Sequence, residues 1–126
     1  MFLFNAGSGK YGITAKVHIL DSGLIVTLYG GEKSHVGSVV VAIPRPSLQD
    51  PSLTSATSSV INLVAHKDED VARPLAELLA KNLNQVVVVT AGIHISQATL
   101  EDIDILKKNV DEVTVAMLTK LEIILK

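Results

Sequence analysis

The chain has 126 residues, 48% of them hydrophobic and 19% charged, with a formal net charge of −2 and no cysteine. That length fits one domain, residues 1–126, and a core that needs no metal or disulfide staple. Without cysteine there is no disulfide framework, thiolate metal site or cysteine nucleophile, which suits a reducing cytoplasm. With no basic run and only two Phe and two Tyr, the phosphate contacts and stacking platforms of nucleic-acid binding are also missing.

The start, Met1 to Asn5, lacks the charged and apolar regions of a signal peptide, and no window approaches 18 apolar residues, so no membrane span is expected. Residues 11–20 alternate: Tyr11, Ile13, Ala15, Val17 and Ile19 share one face, with Thr14, Lys16 and His18 on the other, so a strand with one wet face is expected. Asp21-Ser22-Gly23 turns the chain into a second strand at 24–29. A third strand, Ser38 to Ile43, is almost continuously apolar and reads as central and covered on both faces, ended by Pro44 and Pro46. Residues 44–57 read as a loop, and a fourth strand follows near 59–65. A helix from about residue 68 to 82 carries Val71, Leu75, Leu78, Leu79 and Leu83 on one stripe, with Pro74 in its first turn. Val86–Val89 is a buried fifth strand. Thr99 and Asp102 form a weak capping box for a final amphipathic helix of some 20–25 residues. The expected class is α/β (α+β): a mixed, mainly antiparallel sheet of five to six strands with two helices packed on it. The strand–helix–strand unit after residue 59 should give a parallel pair.

Gly7-Ser8-Gly9-Lys10-Tyr11-Gly12 spells the dinucleotide pattern, but a strand follows it where that mechanism needs a helix, so it reads as an N-terminal turn. Three other segments carry more. Gly30-Gly31-Glu32-Lys33-Ser34-His35-Val36-Gly37 sets glycines on both sides of a histidine, which allows close backbone approach or an anion nest; the bland alternative is an ordinary loop. His66-Lys67-Asp68 precedes a helix, where free N–H groups favour anions, although Asp68 could simply cap that helix. Gly92-Ile93-His94 leaves a buried strand, a common ligand position in α/β folds. His18 stands apart on a wet strand face. No H-x-x-x-H or H-x-H spacing supports a metal, and no nucleophile elbow supports a triad.

Gly30-Gly31-x-x-x-His35-x-Gly37, His66-Lys67-Asp68 and Gly92-Ile93-His94 together resemble the prenylated flavin chaperone LpdD-like family, over nearly the whole chain. Ser34 departs from the family's proline before the histidine, and Ala65 from its glycine. The resemblance implies a fold related to proteasome assembly chaperones. It also implies binding or delivery of prenylated FMN, as accessory subunit to a UbiD-type decarboxylase, with no turnover of its own. The cofactor-binding set it implies is Gly30, Gly31, His35, Gly37, His66, Lys67, Asp68, Gly92 and His94, with no metal. Lys33, Lys67 and His66 would meet the phosphate, Ile93 and Val36 the apolar part, and His35 and His94 the flavin edge. A homo-oligomer is expected, and two alternatives stand beside this reading: a protein-assembly chaperone module that acts by dimerisation, as homodimer or heterodimer, and by partner binding through an exposed apolar patch, and a small histidine-dependent enzyme, with or without a metal.

Overall fold

The computed structural model describes residues 1–63 and 67–126. In chain order these form β1 (Phe2–Ala6), a 3-10 turn (Gly9–Tyr11), β2 (Ile13–Leu20), β3 (Gly23–Gly31), β4 (Ser38–Pro46), β5 (Thr54–Asn62), α1 (Glu69–Leu83), β6 (Val86–His94) and α2 (Leu100–Leu125). Among the described residues the six strands make one mixed sheet in the order β1-β2-β3-β6-β4-β5. It is antiparallel throughout except where β3 meets β6, with Gly23 beside Val86 and Gly31 beside His94.

The parallel pair is therefore not the one expected. α1 links β5 to β6, but β4 lies between those two strands, and the parallel neighbour of β6 is β3. The crossover skips a strand because β4 and β5 already form a hairpin, whose turn is closed by Ser47 N–H to Leu53 O (2.8 Å) and Leu53 N–H to Asp50 O (2.9 Å). That hairpin also corrects the loop expected over 44–57. Pro44 and Pro46 are paired strand residues, opposite Ala56 and Thr54. They are tolerated because pairing with β6 stops at Ala42, so β4 beyond it has one free edge.

Both helices pack on one face of the sheet, α1 over β4, β5 and β6 and α2 over β1 and β2. Alternation sends Ile13, Ala15 and Val17, then Leu24, Val26 and Leu28, into this layer with Val87, Val89, Val40 and Ala42. Ala72, Ala76 and Ala80 let α1 come close, while Val113, Met117 and Leu121 seat α2. Among the described residues the opposite face carries no helix. Val39, Val41 and Val88 on it are only half-buried, and Ile43 is 54% exposed. β4 and the start of β6 are thus apolar on both sides but covered by helices on one, which corrects the reading of Ser38–Ile43 as covered on both faces and of Val86–Val89 as buried.

The N-terminal glycine segment is a structural lock. Tyr11 Oη donates to Asp102 Oδ1 (2.5 Å), Lys10 Nζ lies 3.7 Å from the same oxygen, and Asn109 Nδ2 donates to the Tyr11 carbonyl (2.8 Å). Asp102 also completes the capping box expected at Thr99, accepting from Thr99 N–H (3.0 Å) while Thr99 Oγ1 accepts from Asp102 N–H (3.1 Å). These donors, the Tyr11 hydroxyl first, hold the Asp102 carboxyl down at about 2.

Candidate functional site

β3 and β6 run in parallel and end together at Gly31 and His94, so the loops that leave them start from one end of the sheet. The loop after β3 folds back across that end. Glu32 and Lys33 donate their N–H groups to the His94 carbonyl (2.7 and 3.2 Å), and Gly37 N–H donates to the Ala91 carbonyl (2.9 Å). Between these anchors the backbone of His35 passes directly over Gly92, filling the space any side chain there would need. The loop after β6 is tied in turn, since Ser96 N–H donates to Glu32 Oε1 (2.7 Å).

Asp68 enters from the segment before α1. It occupies the N-cap position, yet its side chain bonds no helix N–H. Its Oδ1 accepts instead from Ile93 N–H (3.1 Å), and its Oδ2 lies 3.1 Å from His35 Nε2. A carboxylate can only accept, so Nε2 carries the hydrogen and neutral His35 keeps its Nδ1 lone pair for another partner. The Asp68 side chain is 10% exposed and that of His35 30%. His94 stands edge-on to His35, with ring centroids 6.2 Å apart and planes at 84°.

Three segments distant in sequence therefore converge: His35 and Gly37, Asp68, and Gly92 with His94. The glycines serve close approach. A side chain on Gly37 would collide with the Asp68 carboxylate, one on Gly92 with the His35 backbone, and one on Gly31 with the His94 carbonyl. Gly30 is spent elsewhere, against the Gly12 carbonyl. Lys33 and Lys67 are exposed at the margins. His66 and Ala65 lie outside the described residues. The Ile93 N–H and the Glu32 carboxylate, which hold the loops, are paired by long-range contacts that no local sequence pattern announces.

The arrangement can present one oriented imidazole, a second exposed one and a rim of backbone, with the Asp68 and Glu32 carboxylates both engaged. A negatively charged ligand therefore meets less repulsion than their formal charges suggest. That donor set fits a flavin nucleotide whose edge hydrogen-bonds and whose phosphate seeks N–H groups or lysines. The ledge is open, since His94 is exposed. A cavity of about 380 Å³ lies elsewhere, between α1 and α2, with Val71, Pro74, Leu78 and Val110 among its walls. Among the described residues no group of three or more His, Asp or Glu could hold a metal ion, and no helix is long and apolar enough to cross a membrane.

Residues 7–122 match the family model described as the prenylated flavin chaperone LpdD-like domain. No curated protein matches the chain. Among solved structures the chain is similar to one from the crystal structure of a novel chaperone complex for yeast 20S proteasome assembly. The identity is 18% over 91% of this chain and 98% of that one, with a TM-score of 0.49.

Proposed function

Since this chain belongs to the prenylated flavin chaperone LpdD-like family, we propose that it binds prenylated FMN at the His35–His94 ledge and passes it to a UbiD-type decarboxylase in the cytoplasm, catalysing nothing itself. The observation that supports this most is the convergence of His35, Asp68 and His94, from three remote segments, at the end of β3 and β6. Asp68 turns His35 so that Nδ1 can accept from a ring N–H of the isoalloxazine. The exposed His94 can donate or accept beside it. Lys33 and Lys67 reach the phosphate, and Val36 and Ile93 lie against the prenyl-derived ring. When bound, the flavin supplies the electrophilic chemistry used later by the decarboxylase; this chain holds it on an open ledge from which it can be passed on.

The test is titration of the purified protein with prenylated FMN and with FMN, followed by flavin fluorescence. Binding at micromolar concentrations is expected, weakened tenfold or more by His35→Ala and by His94→Ala. No binding of either flavin at tens of micromolar would defeat the reading. Binding that both histidine variants leave unchanged would move the flavin to another surface.

A further inference from the structure

We propose that the outer edge of β5 pairs with β5 of a second copy of this chain, antiparallel about a two-fold axis at Ser58, so that one sheet runs through both copies. The inference stands apart from the flavin reading. The His35–His94 ledge lies at the end of β3 and β6, β4 separates β6 from this edge, and the pairing needs no cofactor.

The phase of the hydrogen bonds fixes what the edge offers. β5 is the last strand of the sheet, and its register with β4 runs unbroken from Asn62 beside Ser38 to Thr54 beside Pro46. Leu63 N–H donates to the Gly37 carbonyl (2.9 Å) at one end, and Ser47 N–H donates to the Leu53 carbonyl (2.8 Å) at the other. Antiparallel bonds recur at every second residue. Ser55, Thr57, Ser59 and Ile61 therefore turn their backbone groups to β4, and Ala56, Ser58 and Val60 turn theirs outward. Among the described residues no strand meets them. Edges left in water are normally blunted by charge, proline, a bulge or brevity. The opposite edge, β1, is five residues long. β5 has nine residues with no charge, proline or bulge, as in a strand that has a partner.

Charge identifies that partner as a second copy. Glu69, Arg73, Glu77 and Lys81 follow one another at every fourth residue of α1, a row of alternating sign. The row overhangs β5. Arg73 Nε donates to Ser58 Oγ (3.1 Å), Ser58 Oγ donates to Glu77 Oε2 (2.6 Å), and Asn62 Nδ2 donates to Glu69 Oε1 (2.7 Å). The midpoint of the row, between Arg73 and Glu77, therefore sits at Ser58. Turned about an axis there, the row meets itself reversed: Arg73 faces the partner's Glu77, and Glu69 faces the partner's Lys81. Another sequence would have to carry this alternation by coincidence, whereas a second copy carries it by symmetry. Strands ~4.8 Å apart set α1 and its copy, each lying over β4, roughly 14 Å from one another, a gap that long side chains from both sides span. The same axis puts Ala56 beside the partner's Val60. It also brings Leu63, 58% exposed, to the partner's Leu53, 60% exposed, so an apolar pair closes each end of the seam.

The test uses the full chain without cofactor at tens of micromolar. Sedimentation should give twice the monomer mass. Ala56→Pro removes an outward N–H, which a strand edge tolerates, and should leave a monomer with an unchanged circular dichroism spectrum. Arg73→Glu alone should weaken the dimer tenfold or more. Arg73→Glu combined with Glu77→Arg, which exchanges the central charges yet keeps the row complementary to itself, should restore it. Because the chain has no cysteine, introduced thiols can report the register. Thr57 and the partner's Ser59 stand opposite with Cα atoms ~4.5 Å apart, within disulfide reach, whereas Thr57 lies roughly 7–8 Å from the partner's Thr57. Mild oxidation of a mixture of Thr57→Cys and Ser59→Cys chains should join one of each, and neither variant alone should join to itself. That cross-link decides the matter if Ala56→Pro fails to fold. A wild-type monomer would overturn the inference. So would dimers that a folded Ala56→Pro leaves intact, a double exchange no tighter than Arg73→Glu alone, or a mixture that yields no mixed disulfide.

Discussion

The backbone carbonyl of His35 lies where the side chain of residue 92 would be, so the loop that carries His35 can close over β6 only because residue 92 is glycine. The same closure carries the His35 ring to Asp68 and to the neighbourhood of His94. Position 92 therefore controls a site to which it contributes no functional group.

Gly92→Ala should lift the 32–37 loop. A misfit of this kind costs about 1–3 kcal/mol, read as a lower urea midpoint, and prenylated FMN affinity should fall tenfold or more. Gly9→Ala is the control. It has φ +57° but open space around it, so it should lose about 1 kcal/mol through its backbone angle alone and leave flavin affinity unchanged.

Asp68→Ala should strand the Ile93 N–H, a loss of about 1–3 kcal/mol for a buried donor left unpaired. Asp68→Asn keeps an acceptor for that N–H but no longer dictates which His35 nitrogen is protonated. Nitrogen-15 NMR should show the Nε2–H tautomer in the wild type and a mixture in Asp68→Asn. A mixture in the wild type would remove Asp68 as the group that orients His35.

The lock between Tyr11 and Asp102 should appear in acid. The Asp102 carboxyl titrates at about 2 in the folded chain, chiefly because the Tyr11 hydroxyl donates to it. A depressed carboxyl contributes stability that is fully present above its unfolded value, near 3.8, and is lost as pH falls through about 2. Urea midpoints measured from pH 7 to pH 2 should fall across that window, and fall less steeply in Tyr11→Phe. Equal slopes would show that the pair does not couple to folding.

Thr99→Ala removes the hydroxyl that accepts from Asp102 N–H. A lost cap of this kind costs about 1 kcal/mol, and the urea midpoint should register it without any change in flavin binding.

Much of the fold was legible where local chemistry decides it. The alternation of Tyr11 to Ile19 marked β2, Asp21-Ser22-Gly23 marked its turn into β3, and Thr99 with Asp102 marked the start of α2. The rest is settled at long range. Thr54 to Ser59 looks like loop because its hydroxyls hide a strand whose register is imposed by β4. Phe2–Ala6 offered too short a pattern to stand out beside its β2 partner. Continuous valine suggested burial on both sides, and nothing in one chain's sequence says whether its own helices or another surface supply the second layer. At the site, the residue types in the three loops were visible. The role of Asp68 was not: a residue suited to capping a helix is drawn instead to a strand N–H 25 positions away and a histidine 33 positions away.

The placement of β6 between β3 and β4 also governs how a nascent chain must assemble. Before residues 86–94 leave the ribosome, β1, β2 and β3 can pair among themselves, and β4 can pair with β5, but no hydrogen bond joins the two groups. Each group then holds out a bare, greasy border, the template along which unfinished chains aggregate. The sheet is completed by wedging a late strand into a waiting gap, so slowing synthesis between residues 46 and 86 should lengthen the period in which the protein itself needs protection.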